Sequence, residues 1–309
     1  PTYSTSIPLF WKKTFSNNVT LYLLDTETDQ NLPSERSITS TLYSGTQESL
    51  LKQQIILGVG GVKLLTTLGI QPKIYHMNEG RPNFLHWQLI RELMVTHEID
   101  YETAKKTAKE KTVYTNHTLV AAGNQDYSMD LLKVFSKYYA DKMGISTELL
   151  LSDGIDNPEI PNKFSVTRAA LNTSSKANGV SNIHTNLSKE IWPEYNWTNI
   201  TNGVHFPTWQ EPKIKEASNQ SLSTGNPEIL WNAHQEQKRV LENFVKQQTG
   251  YGYNPEYLVI GWARRLAGYK RLDVIFEDIE RLRSILKNEN RPIQLLISGK
   301  AHQGDTNGK

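Results

Sequence analysis

The chain has 309 residues, a formal net charge of +2, 37% apolar residues and no cysteine. That length exceeds what one hydrophobic core usually serves, so two lobes are expected. The near-neutral charge argues against a nucleic-acid partner, the missing thiols exclude disulfides, thiolate metal sites and cysteine nucleophiles, and there is neither an apolar run of about eighteen residues nor an apolar leader with a cleavage site; no membrane partner is expected, and a cytoplasmic location is compatible with all of this.

Residues 1–46 mix short apolar alternations, as at 19–24, with polar turns, and 25–37 reads as loop. A helix is predicted over 47–68. Inside it Gly58, Gly60 and Gly61 lack the spacing of a phosphate-binding loop and sit within a helical periodicity, so close helix packing is the expected role. A short buried strand over 73–77, a turn at 78–82 and a helix over 83–95 follow. A charged amphipathic stretch then leads to residue 111, a strand at 112–115 and a turn at 116–118. Strand, polar turn and helix therefore alternate, which is the rhythm of an α/β fold. Helices are predicted over 129–143 and 166–177, with a loop at 152–162, a glycine-bearing segment at 178–181, and a short strand and glycine turn at 199–205. Residues 207–228 are polar and punctuated by proline, which marks a linker, and 227–248 read as a connecting helix.

The densest chemistry lies near the end. After the strand-like 257–261, Arg264, Arg265, Lys270 and Arg271 place four cations in eight residues, and from Leu272 onward apolar residues recur at spacings of three and four. The cations thus occupy a strand-to-helix turn, where α/β sheets bind phosphates against free backbone N–H groups. A solvated basic turn is the other reading of the same residues. The strand at 294–298 completes one βαβ unit, the beginning of a Rossmann-like sheet. His76 and Glu79 find no second histidine at metal-ligand spacing, so no metal site is expected. The chain starts at Pro1 and stops at Lys309 in a polar turn, and it reads as an excerpt.

Five separated segments carry a resemblance: 57–62 (LGVGGV), 75–80 (YHMNEG), 115–118 (TNHT), 177–181 (ANGVS) with 200–205 (ITNGVH), and 263–271 (ARRLAGYKR) with 299–301 (GKA). In order and approximate spacing they resemble the short-form α-glucan phosphorylases, the family of glycogen and maltodextrin phosphorylases. The likeness runs from about residue 21 to the end.

The resemblance implies a GT-B architecture, two Rossmann-like lobes with the active site in the cleft between them. Residues 1–206 would then belong to an N-terminal glucosyl-binding lobe, 207–255 to a linker and connecting helix, and 256–309 to the start of a truncated C-terminal lobe for phosphate and cofactor. It implies phosphorolysis of α-1,4-glucan by orthophosphate to glucose 1-phosphate with retention and pyridoxal 5'-phosphate as cofactor, and it leaves the oligomeric state of the parent open, a homodimer among the options. His117, Arg265 and Lys270 match catalytic positions. The backbone carbonyl of His117 would face the glucosyl centre while its ring bonds the sugar; Arg265 and Lys270 would contact the substrate phosphate. Asn78, Glu79 and Tyr269 match substrate contacts, with Glu79 also placed to orient His117. Arg264 matches a position that holds the cofactor phosphate, where better-known glycogen enzymes carry Lys; the charge stays and the donor geometry changes. Ala267 and Gly268 replace a bulkier pair, and Arg81 stands where His is common. Asn202 and Gly203 would shape the inter-lobe turn. The family's glycine-rich loop would precede Pro1 and its Schiff-base lysine would follow Lys309, so the isolated chain is expected to be inactive. A nucleotide-sugar glucosyltransferase of the same plan and a non-catalytic glucan-binding protein are the competing readings.

Overall fold

A computed structural model describes residues 8–15, 19–42, 46–120, 124–155 and 161–301, apart from the side chain of Tyr269. The chain divides into two compact units, residues 1–203 and 204–309. Both are α/β, built of parallel strands joined through helices.

In the first unit β1 (Leu9–Thr14) and β2 (Thr20–Asp25) form an antiparallel hairpin. The main sheet is parallel, in the order β3 (Tyr75–Asn78), β4 (Thr112–Asn116), β7 (Lys176–Gly179), β8 (Trp197–Asn199), while β5 (Asp126–Ser128) and β6 (Lys163–Ser165) pair as a separate antiparallel ribbon. Central strand β4 is buried along its length except for a half-buried Val113, as expected of a parallel strand covered on both faces. Tyr114, Met77, Phe84, Leu51 and Leu132 are fully enclosed in one core. The Phe84 ring meets Trp87 edge-on at 4.9 Å and stacks on Phe164 at 6.2 Å, distances at which aromatic pairs add to simple burial.

The helix predicted over 47–68 is one helical run with a π turn in its middle: Gln47–Ile55, Ile56–Gly60 and Gly61–Thr67. A Cβ on Gly58 would fall 2.5 Å from the Leu85 nitrogen and 2.7 Å from the Pro82 oxygen, so two backbones touch there. Close packing is thus what Gly58 serves. Gly61 has open space around it, so its missing side chain accommodates nothing.

Three stretches differ from their sequence reading. The helix predicted over 166–177 stops at Asn172, where the Thr173 hydroxyl lies 2.7 Å from the Ala169 carbonyl and 2.9 Å from Asn83 Oδ1. Ser175 N–H then donates to Thr112 O at 2.8 Å, and 176–179 join the sheet as β7. Pairing with β4 overrides the alanine-rich helical pattern. Next, Ser181 caps a helix at Asn182–Ile191, where none is predicted. Finally, the proline-punctuated stretch 207–228 is largely helical. In it Pro212 opens the helix Pro212–Thr224 and Gly225, at φ +68°, closes it, the positions at which proline and glycine punctuate helices.

That helix packs on Pro227–Thr249 inside the second unit. There β9 (Leu258–Ala263) and β10 (Ile293–Ser298) pair in parallel, with the helix Ile279–Leu286 between them in sequence, which is the predicted βαβ unit. Among the described residues no helix is long and apolar enough to cross a membrane.

Candidate functional site

Parallel pairing brings the carboxyl ends of β3, β4 and β7 side by side: Asn78 is the register partner of Thr115, and Thr115 of Asn178. The residues that follow these strands carry the predicted chemistry. Glu79 comes directly after β3 with φ +64°, a left-handed conformation that costs a non-glycine residue free energy and recurs at functional turns. Its N–H donates to Thr115 O at 3.0 Å, one further bond of the ladder, and the backbone then turns away. The turn swings its carboxylate onto the next strand end, where Oε1 accepts the His117 N–H at 3.1 Å.

Burial raises the Glu79 pKa above its usual 4.5; the Thr118 hydroxyl, the His117 N–H and the charges of His117 and Arg81 pull the other way. Below it, His76 Nε2 lies 2.7 Å from Thr115 Oγ1, whose hydroxyl donates to Asn178 Oδ1 at 2.6 Å. Buried Asn116 donates from Nδ2 to the Tyr114 hydroxyl at 2.7 Å, and its Oδ1 has no partner among the described residues. Asn202 N–H reaches Val180 O at 3.0 Å, tying the glycine turn at 199–205 to the end of β7.

Of the sequence-predicted residues in this unit, the structure joins Glu79 to His117 and leaves Asn78 exposed at the β3 end. His117 is half-buried. His76, set aside as a ligand, is a hydrogen-bonding residue of the strand ends. Among the described residues no three His, Asp or Glu side chains converge as a metal site. Sequence reading missed His184, Nδ1 of which lies 2.9 Å from where a Gly179 Cβ would be. The signal was present: Ser181, a helix-capping residue, stands three positions before it at the end of a strand.

In the second unit the basic run follows β9 as predicted. Arg264 N–H donates to Ser298 O at 3.1 Å, Leu266 N–H to Lys300 O at 3.2 Å, and Leu266 bridges to Ala301, so the turn stays bound to the segment leaving β10. A Cβ on Gly299 would sit 2.3 Å from Arg264 O, so glycine there permits the approach. Arg264, Arg265 and Arg271 are exposed and Lys270 is half-buried, while the Tyr269 side chain lies outside the described residues. Gly268–Lys270 form a single 3-10 turn, ended by Arg271 at φ +53°. Exposed guanidinium groups beside an ammonium on a pinned turn present the donor set an oxyanion takes.

Fold and site together define an α/β protein of parallel strands, with a hydrogen-bonded Glu–His turn at the strand ends of one unit and a cationic strand-to-helix turn in the other. No family model matches the chain. Individual proteins do. Over 94% of its length the chain is 34% identical to maltodextrin phosphorylase of Thermococcus litoralis, 30% to glycogen phosphorylase of Mycobacterium tuberculosis and 32% to glycogen phosphorylase of Aquifex aeolicus. It spans 39%, 39% and 47% of those proteins, less than half of each. The chain is thus similar to a region of the glycogen and maltodextrin phosphorylases.

Proposed function

We propose that this chain is part of an α-glucan phosphorylase of GT-B type, which cleaves α-1,4-glucan with orthophosphate and releases glucose 1-phosphate with retained configuration. The observation that carries the reading is the likeness to three phosphorylases along 94% of the chain. The Glu79–His117 bond supports it, because the two residues implied at the glucosyl position are also bonded to each other.

In this reading the first unit supplies the sugar contacts. The His117 ring bonds a sugar hydroxyl, its carbonyl faces the positive charge that develops as the glycosidic bond breaks, and Glu79 fixes the turn that presents both. Asn78, exposed at the β3 end, offers a further hydroxyl partner. The second unit supplies the phosphate contacts. Arg265 and Lys270 hold orthophosphate and offset the charge that grows in the transition state, the kind of electrostatic stabilisation that dominates many enzymes. Tyr269 adds a hydroxyl for sugar or phosphate.

The family implies pyridoxal phosphate, and the cationic turn fits its phosphate: Arg264 is exposed, pinned at its backbone and in no ion pair among the described residues. When bound, the cofactor supplies through its phosphate a proton donor and acceptor for the substrate phosphate. Arg264 holds that phosphate in this reading, and no lysine in the chain matches the one that anchors the ring.

The test is phosphate-dependent release of glucose 1-phosphate from maltooligosaccharide by the full-length protein. Transfer from a nucleotide sugar without phosphorolysis would instead make it a glucosyltransferase, and glucan affinity with neither activity a binding protein. The isolated 309-residue chain is expected to be inactive and to take no stable pyridoxyl label on borohydride reduction. Labelling of one lysine would show that the anchoring site is misplaced.

A further inference from the structure

Behind the His117 turn lies a second histidine to which none of this assigns a role. Ser181 Oγ accepts the His184 N–H at 3.1 Å and sets that residue on the first turn of the helix Asn182–Ile191. The helix start is pressed against the end of β7. A Cβ on Gly179 would fall 2.9 Å from His184 Nδ1 and 2.5 Å from Thr185 Oγ1, so glycine is what admits the ring. Gly179 is the register partner of Asn116, the residue before His117, and the ring therefore sits beside the His117 backbone. Ser188, one turn further, donates its hydroxyl to the His184 carbonyl at 2.9 Å and lies 3.4 Å from Nδ1. Nε2 is buried and has no hydrogen-bond partner among the described residues.

The groups around the ring agree with this placement. Burial lowers the His184 pKa below 6.5, the charge of His117 lowers it further, and the His117 backbone carbonyl opposes both. The ring is thus neutral near pH 7, with Nδ1 beside Ser188 and Nε2 without a partner among the described residues.

We propose that His184 is a positioning residue, whose Nε2–H donates to the His117 carbonyl as substrate closes the turn while Glu79 holds the His117 N–H. The two tethers act on the peptide groups on either side of the His117 Cα. Together they fix its φ and ψ, and so the direction in which its ring leaves the backbone. Hydrogen bonds of catalytic groups are often long without substrate and tighten in the complex, which suits an Nε2 that is buried and has no partner among the described residues. The proton's position separates this role from a structural one. On Nε2 it serves His117; on Nδ1 it serves only Ser188.

The proposal rests on the phosphorylase reading for its kinetic effect alone. With the chain labelled at histidine, NMR near neutral pH should find His184 neutral with its proton on Nε2; a proton on Nδ1 overturns the proposal. In the full-length protein His184→Phe should lower kcat on the order of 10- to 100-fold, the scale of a misplaced catalytic group, and leave KM for phosphate unchanged. His184→Gln, with an amide N–H in the same place, should restore most of the loss. Equal losses in both variants, or a change in KM alone, count against it. If thermal unfolding shows that the Phe variant does not fold, the Gln variant and the tautomer still decide. A wild-type protein without phosphorolysis would bring down the phosphorylase reading and leave the tautomer as the deciding measurement.

Discussion

The strand ends of the first unit and the basic turn of the second are both candidate sites, and they are built in opposite ways. At the strand ends several side chains are held by one another: Glu79 takes the His117 amide, His76 meets Thr115, and Thr115 donates to Asn178. At the basic turn the backbone is held through Arg264 and Leu266, while the guanidinium groups of Arg264 and Arg265 are exposed. The first arrangement has its main tether, from His117 N–H to Glu79, in place without a ligand. The second presents its charge to solvent, so it should respond to salt and the first should not.

The sharpest way to break this contrast is to neutralise the cations. In the full-length protein Arg265→Ala is expected to cut glucose 1-phosphate release on the order of 10²- to 10³-fold, the usual loss for one transition-state donor. Phosphate affinity should weaken as salt rises, and a variant with undiminished turnover would remove Arg265 from the site.

Support of the strand ends can be probed one layer down. Gly58 meets the backbone of Pro82 and Leu85, the segment that leaves Glu79. Gly58→Ala is expected to destabilise the chain by about 1–3 kcal/mol, the range for overpacking. An unchanged Tm would mean that this contact is looser than its geometry.

A smaller effect tests the carboxylate itself. Glu79 has its pKa raised above 4.5 by burial, so its contribution to stability is present below about pH 4.5 and is lost as pH rises through the folded value. Glu79→Gln should therefore unfold at a slightly higher temperature than wild type at pH 7, with the gap closing toward pH 4.5. A Gln variant less stable at pH 7 would show that the charge-assisted bonds outweigh burial.

The smallest change is the surface reference. Lys137 and Asp141 pair at 3.1 Å on one helix face with both side chains about half exposed. Lys137→Ala should cost only about 0.3–0.5 kcal/mol, and less in high salt. A loss comparable to that of Gly58→Ala would mean that surface pairs matter here as much as backbone contacts.

Much of this was legible in the chain. The cations at 264–271 stand between an apolar strand and an amphipathic stretch, and the structure keeps them in that turn. Glu79 and His117 each follow a short apolar run that proves to be a strand end. What could not be read was long-range. Residues 176 and 177 read as the tail of the helix predicted over 166–177, and only pairing with β4 makes 176–179 a strand. Once β7 exists, Ser181 caps a helix and His184 acquires its neighbour. In residues 207–228 the polar composition drew attention from a local signal: Pro212 and Gly225 mark the two ends of a helix.

The sequence alone determined which residue types fall at strand ends and turns, because apolar periodicity, capping residues and glycine are local properties of neighbouring residues. Which of those ends lie side by side was decided by the tertiary structure, because register between β3, β4 and β7 depends on backbone hydrogen bonds and core packing among segments distant in sequence. The bond from His117 to Glu79, and the place of His184 beside them, exist only through that pairing.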